Sequence, residues 1–138
     1  KEISKKQIPN LKVINWMNYK NLSSFLSIAD AFVVTLDANA STFSVPSKIY
    51  SYLTIGKPIL GSMPLENLGS KKIKKMKVGY ISRPNDIESF IRNCERFIKS
   101  KKLRMIFSNN CKDYLKTRKA SIAKMASIIK KLENKNLS

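Results

Sequence analysis

Ala31-Phe32-Val33-Val34-Thr35-Leu36, the polar stretch Asp37 to Ser44, Val45-Pro46-Ser47-Lys48, and the run through Gly56 to Lys57-Pro58-Ile59-Leu60 together decide the fold. The first segment is continuously apolar and β-branched, as expected of a parallel strand buried on both faces. The loop after it is rich in small hydroxyl residues, Ala and Asn. Pro46 suits the first turn of a helix, where its missing N–H would have had no partner anyway. The helix is expected from Ser47 to Ile55, with Ile49, Tyr50 and Leu53 turned inward, and Gly56 closes it as a left-handed terminal residue. Pro58-Ile59-Leu60 then opens a second strand.

The same alternation extends in both directions. Upstream, Leu11, Val13 and Ile14 read as a short strand, and Asn18 to Asp30 as a helix carrying Leu22, Phe25, Leu26 and Ile28. Residues 1–10 read as a helix end or a tail. Downstream, Glu66 to Met76 is an expected helix with a thin stripe of Leu68, Ile73 and Met76, followed by the strand Val78-Gly79-Tyr80-Ile81. Asn85 or Asp86 caps an amphipathic helix in which Ile87, Phe90, Ile91, Cys94, Phe97 and Ile98 recur at helical spacing. Two more helices are expected, Lys101 to Leu115 and Ala120 to Leu132. Strands alternating with helices predict a doubly wound α/β domain with a parallel sheet and right-handed crossovers. The chain reads as one domain over residues 1–138, with Ala120–Ser138 forming a C-terminal helix and tail.

The composition narrows the function. The chain has 138 residues, is 43% hydrophobic, and contains no His. The mean hydropathy of −0.26 is that of a globular chain, and no run of about 20 apolar residues is present to span a bilayer. The opening Lys1-Glu2-Ile3-Ser4-Lys5-Lys6 lacks the apolar core of a signal peptide and an initiator Met, so a trimmed or partial chain is expected, with a leader or anchor upstream left open. Without His, imidazole catalysis and His-ligated metals are excluded within these residues. Cys94 and Cys111 suit two small core residues in a reducing compartment better than a disulfide framework or a zinc site. The net charge is +18, from 27 Lys and Arg against 9 Asp and Glu. Such a field attracts nucleic acid, anionic membrane or phosphorylated substrates, although most of the charge is Lys, which attracts diffusely. Lys71 to Lys77 holds five Lys in seven residues, a pattern that also suits a plain solvated helix face.

Ligands of open α/β sheets bind beyond the carboxyl ends of the strands. The loop from Asp37 to Pro46 lies there and delivers Ser44, Val45, Pro46, Ser47 and Lys48 to a helix N-terminus. Free N–H groups and the positive end of the helix dipole make such a place receptive to phosphate. A capped helix with a solvated Lys is the alternative reading of the same spacing.

Taken together, Phe25-Leu26-Ser27-Ile28-Ala29-Asp30, the strand after it, Ser44-Val45-Pro46-Ser47-Lys48-Ile49-Tyr50, and Tyr52-Leu53-Thr54-Ile55-Gly56-Lys57-Pro58-Ile59-Leu60 resemble a known pattern. It is that of the C-terminal domain of GT-B glycosyltransferases, in the large retaining group 1 or family 4 type that contains bacterial polysaccharide enzymes. Val78-Gly79-Tyr80-Ile81 with Pro84-Asn85-Asp86 resembles a further segment of that family, so the likeness runs from about Leu11 to Phe97.

The resemblance implies a Rossmann-like domain that binds a nucleotide diphosphate sugar, commonly a UDP-sugar, and passes the sugar to a polysaccharide, lipid-linked or other glycan acceptor. It implies no cofactor, no metal, and retention of configuration. It places phosphate on Ser47 and Lys48, ribose at Ser51, and the nucleobase near Asn15-Trp16-Met17, where Trp16 offers a stacking face. Lys48 and the Ser44–Ser47 backbone become the groups that stabilise the leaving diphosphate; Asp37 is expected to be a turn residue. Two departures stand out. Phe43 and Ser51 occupy positions where the family often carries a pair of Glu. The family's opening strand, Gly-containing loop and helix, and its acceptor domain, are expected to precede this stretch, which makes the isolated piece incomplete and inactive. A cytoplasmic location at the inner face of the membrane follows from the resemblance and the charge. The rival readings are a degenerate, non-catalytic domain scaffolding a membrane-bound assembly, and a basic nucleic-acid-binding module, for which no zinc, helix-turn-helix or aromatic RNA motif is present.

Overall fold

The computed structural model describes residues 8–14 and 16–136. Within them the order is α1 (Tyr19–Ser27), β1 (Phe32–Thr35), α2 (Lys48–Ile55), β2 (Ile59–Ser62), α3 (Leu68–Met76), β3 (Gly79–Ser82), α4 (Ile87–Lys99) and α5 (Lys101–Asn136). The three strands form one parallel sheet in the order β1-β2-β3, with Phe32 opposite Ile59 and Ile59 opposite Gly79. Each connection is a helix, and helices lie on both faces, giving the expected α/β architecture.

Alternation along the strands separates two cores. On one face Val34 and Ile59 pack with Ile49 and Leu53 of α2, Ile73 of α3 and Cys111 of α5. On the other, Leu60 packs with Phe97 of α4 and Phe107 of α5, flanked by Tyr80, Phe90 and Cys94. The helix α5 serves both. It begins beside α4, where Arg104 donates to the carbonyls of Phe97 and Ile98. Further along, Asn110 donates to the Lys77 carbonyl just before β3 at 2.8 Å, and the helix then packs on α2.

Local signals set several helix ends, Asp86 and Gly56 among them as expected. Asn18 accepts from Lys20 N–H and Asp86 from Ser89 N–H, each as an N-cap. Gly56 ends α2 at φ 81°, a left-handed conformation that costs glycine little.

Four expectations are corrected. Leu11, Val13 and Ile14 form no strand; they are exposed and pair with nothing in the sheet. Three apolar residues among Lys and Asn promote a strand only when an edge receives them. The run Ala31–Leu36 is not buried on both faces: Phe32 and Val34 are buried, but Val33 is 56% exposed. It lies on the face of Leu60, yet α4 covers β2 and β3 and stops short of the edge strand. The stripes of α3 and α4 are half-used, with Leu68, Ile87, Ile91 and Ile98 exposed. Finally, the two C-terminal helices are a single one. Lys116-Thr117-Arg118-Lys119 contains no Gly or Pro to break it, and Thr117 Oγ1 and Ser121 Oγ return to the carbonyls one turn back. Residues 1–7 of the expected N-terminal tail, Asn15, and residues 137–138 lie outside the described residues.

Candidate functional site

The first strand ends at Thr35, where Leu36 N–H still donates to Ser62 carbonyl at 2.9 Å. The chain then leaves the sheet through two small turns. Asp37 Oδ1 accepts from Asn39 N–H at 2.8 Å, so its carboxylate is occupied in the turn, and Ser44 N–H donates to Ser41 carbonyl at 3.0 Å. Val45 joins the edge of the first core, Pro46 follows, and α2 begins.

The start of α2 is unusually open. Ser47 is the N-cap residue, but it is helical in conformation and its side chain caps nothing. Ile49 N–H donates to Pro46 carbonyl and Tyr50 N–H to Ser47 carbonyl. Among the described residues, the N–H groups of Val45, Ser47 and Lys48 have no acceptor. A helix N-terminus lacking its caps presents free donors and the positive end of its dipole together.

Ser47 and Lys48 border a cleft of about 350 Å³ at the carboxyl end of β1, lined also by Thr35, Leu36, Ser44 and Pro46; Val45 does not line it. Tyr52 forms one wall; its ring stacks on Phe32 at 3.8 Å between centroids, fastening α2 to β1. Ser44, Ser47 and Lys48 are exposed and contribute two hydroxyls and an ammonium. The cleft is therefore equipped for an anion of phosphate size or larger.

Of the residues singled out in the sequence, Ser44, Pro46, Ser47 and Lys48 come together here. Ser51 does not join them. It lines a separate cleft of about 630 Å³ among α1, α2 and α5, with Tyr19, Lys20, Thr54 and Arg118. Trp16 is 88% exposed and Met17 half-buried; neither lines either cleft. Phe43 stands 78% exposed on the loop. Among the described residues no group of three or more His, Cys, Asp or Glu is placed to hold a metal ion, and no helix is long and apolar enough to cross a membrane.

One residue escaped the sequence reading. Asn67, before α3, is completely buried. Its Nδ2 donates to the carbonyls of Ser41 at 3.1 Å and Ser44 at 3.0 Å, while its Oδ1 accepts from Gly69 N–H at 2.8 Å. Leu68 N–H adds a bond to Thr42 carbonyl at 3.0 Å. The local signal, an Asn opening a helix, announces only the cap; the bonds to a loop 23 and 26 residues earlier have no sequence signature.

Comparison with curated proteins found no match, and comparison with solved structures found none. The family model described as glycosyl transferases group 1 matches residues 1–114, which include the sheet, the cleft and the start of α5. A parallel α/β sheet, an uncapped helix start facing a cleft at the carboxyl end of a strand, and this match agree, and the chain belongs to the glycosyl transferases group 1 family.

Proposed function

We propose that the cleft at the start of α2 receives the diphosphate of a nucleotide sugar, UDP-linked in the first instance, and that the chain forms the donor half of a GT-B glycosyltransferase. The observation that carries this reading is the set of free Val45, Ser47 and Lys48 N–H groups at an uncapped helix N-terminus. The reaction is transfer of the sugar with retention to a glycan or lipid-linked acceptor. As the glycosidic bond breaks, negative charge grows on the departing diphosphate. Fixed N–H donors and the Lys48 ammonium stabilise that charge without reorganising. In this reading the mechanism needs no metal, because backbone dipoles and Lys48 neutralise the leaving group. The diphosphate meets Ser44, Ser47 and Lys48, while Trp16, Met17 and Ser51, which the family pattern offers to the nucleoside, lie outside this cleft.

The test is titration of the intact protein with UDP, GDP, dTDP and ADP, alongside Lys48→Ala. Loss of one charge-assisted contact on an exposed group should weaken the preferred nucleotide by about tenfold. Equal affinity in wild type and variant refutes the assignment of Lys48.

A second reading is favoured by a different observation. No carboxylate lines the cleft, while Lys71, Lys74, Lys75 and Lys77 are exposed on and beside α3. A non-catalytic domain held on an anionic membrane surface would carry these features. Binding to vesicles containing anionic lipid, with no affinity for any of the four nucleotides, selects this reading over the first.

A further inference from the structure

We propose that Asn67 is a positioning residue for donor binding: it fixes the loop that carries Ser44 and Pro46 to the cleft at the start of α2. The inference rests on the donor-site reading above and deepens it.

The argument begins with hydrogen-bond capacity. A side-chain amide offers two N–H donors and one acceptor oxygen, and Asn67 uses all three. Both donors reach across to the Ser41–Ser44 loop rather than to its own helix. With Leu68 N–H on Thr42 carbonyl, three carbonyls of this short loop turn inward, toward the start of α3.

Peptide geometry carries the consequence outward. In a planar trans peptide the C=O and the N–H point in opposite directions, and the described chain has no cis bond. Drawing the Ser44 carbonyl onto Asn67 therefore turns the Val45 N–H to the opposite side, away from α3. That N–H is one of the three unpartnered donors at the start of α2. Ser44 and Pro46, on either side of it, line the cleft. Releasing the Ser44 carbonyl would let this peptide rotate and shift Ser44 and Pro46, which line the cleft. Asn67 itself, fully buried, does not line the cleft; it acts through the loop.

The experiment uses Asn67→Asp in the intact protein. The carboxylate keeps an acceptor for Gly69 N–H, and so keeps the cap of α3, but it has no donors for Ser41 and Ser44. The control is Ile73→Val, which loosens the same helix from within the core and does not line the cleft. Two readouts are taken: affinity for UDP, GDP, dTDP and ADP, and hydrogen exchange of the backbone amides from Thr42 to Lys48. We expect Asn67→Asp to bind the preferred nucleotide at least about tenfold more weakly, from two lost hydrogen bonds. Exchange should quicken in the loop while α3 keeps its protection. Ile73→Val should bind as wild type does. Wild-type affinity in a folded Asn67→Asp protein, unchanged loop exchange, or an equal loss of affinity in Ile73→Val overturns the positioning role. If the wild type binds none of the nucleotides, the donor-site reading itself fails and the role falls with it, an outcome distinct from the others.

Discussion

Gly79 of β3 lies opposite Ile59 of β2, and replacing it by Ala should open the sheet. A Cβ built there would fall 1.8 Å from Ile59 carbonyl oxygen and 2.7 Å from its carbonyl carbon, whereas real Cβ contacts stay beyond 3.0 Å. The obstacle is backbone, so no side chain can swing aside, and the strands must separate by more than an ångström. The bond from Ile59 N–H to Val78 carbonyl, 3.0 Å, lies beside the site and would be lost, and that from Met63 N–H to Ser82 carbonyl, 3.0 Å, at the far end of the same strand pair, would be strained. Each is worth about 1 kcal/mol net. Ile59 and Val78, both fully buried, would lose part of a burial worth about 1.5–3 kcal/mol apiece. A destabilisation of about 3–5 kcal/mol follows, a large share of the roughly 5–15 kcal/mol that holds a domain together. Gly56→Ala is the internal comparison. There φ is 81° and nothing lies within 4 Å of the added carbon, so only the left-handed penalty of about 1–2 kcal/mol applies, partly offset by about 0.4–1 kcal/mol from a stiffer unfolded chain. Urea unfolding of the intact protein, followed by circular dichroism, measures both. A Gly79→Ala variant within about 1 kcal/mol of wild type, or one no worse than Gly56→Ala, refutes the close-approach argument.

Burial pushes the Cys111 thiol up to about 12 and raises that of Cys94 as well. The folded state thus holds the Cys111 proton more tightly than the unfolded chain does. Its contribution to stability is complete below the ordinary thiol range near 9 and is lost as pH rises toward 12. Thiol-reagent kinetics at pH 8 should show Cys111 reacting only through unfolding and Cys94 reacting faster; comparable rapid labelling of both would contradict this burial. Asp86→Ala removes the cap on Ser89 N–H and a negative charge from the start of α4, which should cost about 1 kcal/mol. An unchanged unfolding midpoint would show that the cap is idle. Lys48→Ala and Asn67→Asp should both weaken nucleotide binding, but only the second should quicken exchange in the 42–48 loop.

Much of the architecture can be read along the chain because its causes are local. The caps Asn18 and Asp86, the left-handed Gly56 and the run Phe32–Thr35 act within a turn or a strand of themselves, and Pro46-Ser47-Lys48 announces the helix start at the cleft. What escaped depends on partners distant in sequence. Whether Leu11–Ile14 becomes a strand depends on an edge that accepts it, and whether Val33 is buried depends on how far α4 reaches. Ser51 lies one turn beyond Lys48, and its place in the other cleft was settled only when α1 and α5 packed beside α2. The joining of two expected helices into α5 was chemically available, since nothing between Leu115 and Ala120 breaks a helix, but α5's packing on both α4 and α2 is a tertiary fact. The sequence alone determined the α/β alternation and the helix start after Pro46, because short-range dihedral preference and hydrophobic period suffice for them, and the family was legible in the resemblance of the block from Pro46-Ser47-Lys48 to Gly56-Lys57-Pro58. Only the tertiary structure decided which donors stay free and what holds the loop before them. The bonds that hold the loop join Asn67 to carbonyls 23 and 26 residues away, and backbone carbonyls carry no residue identity to read.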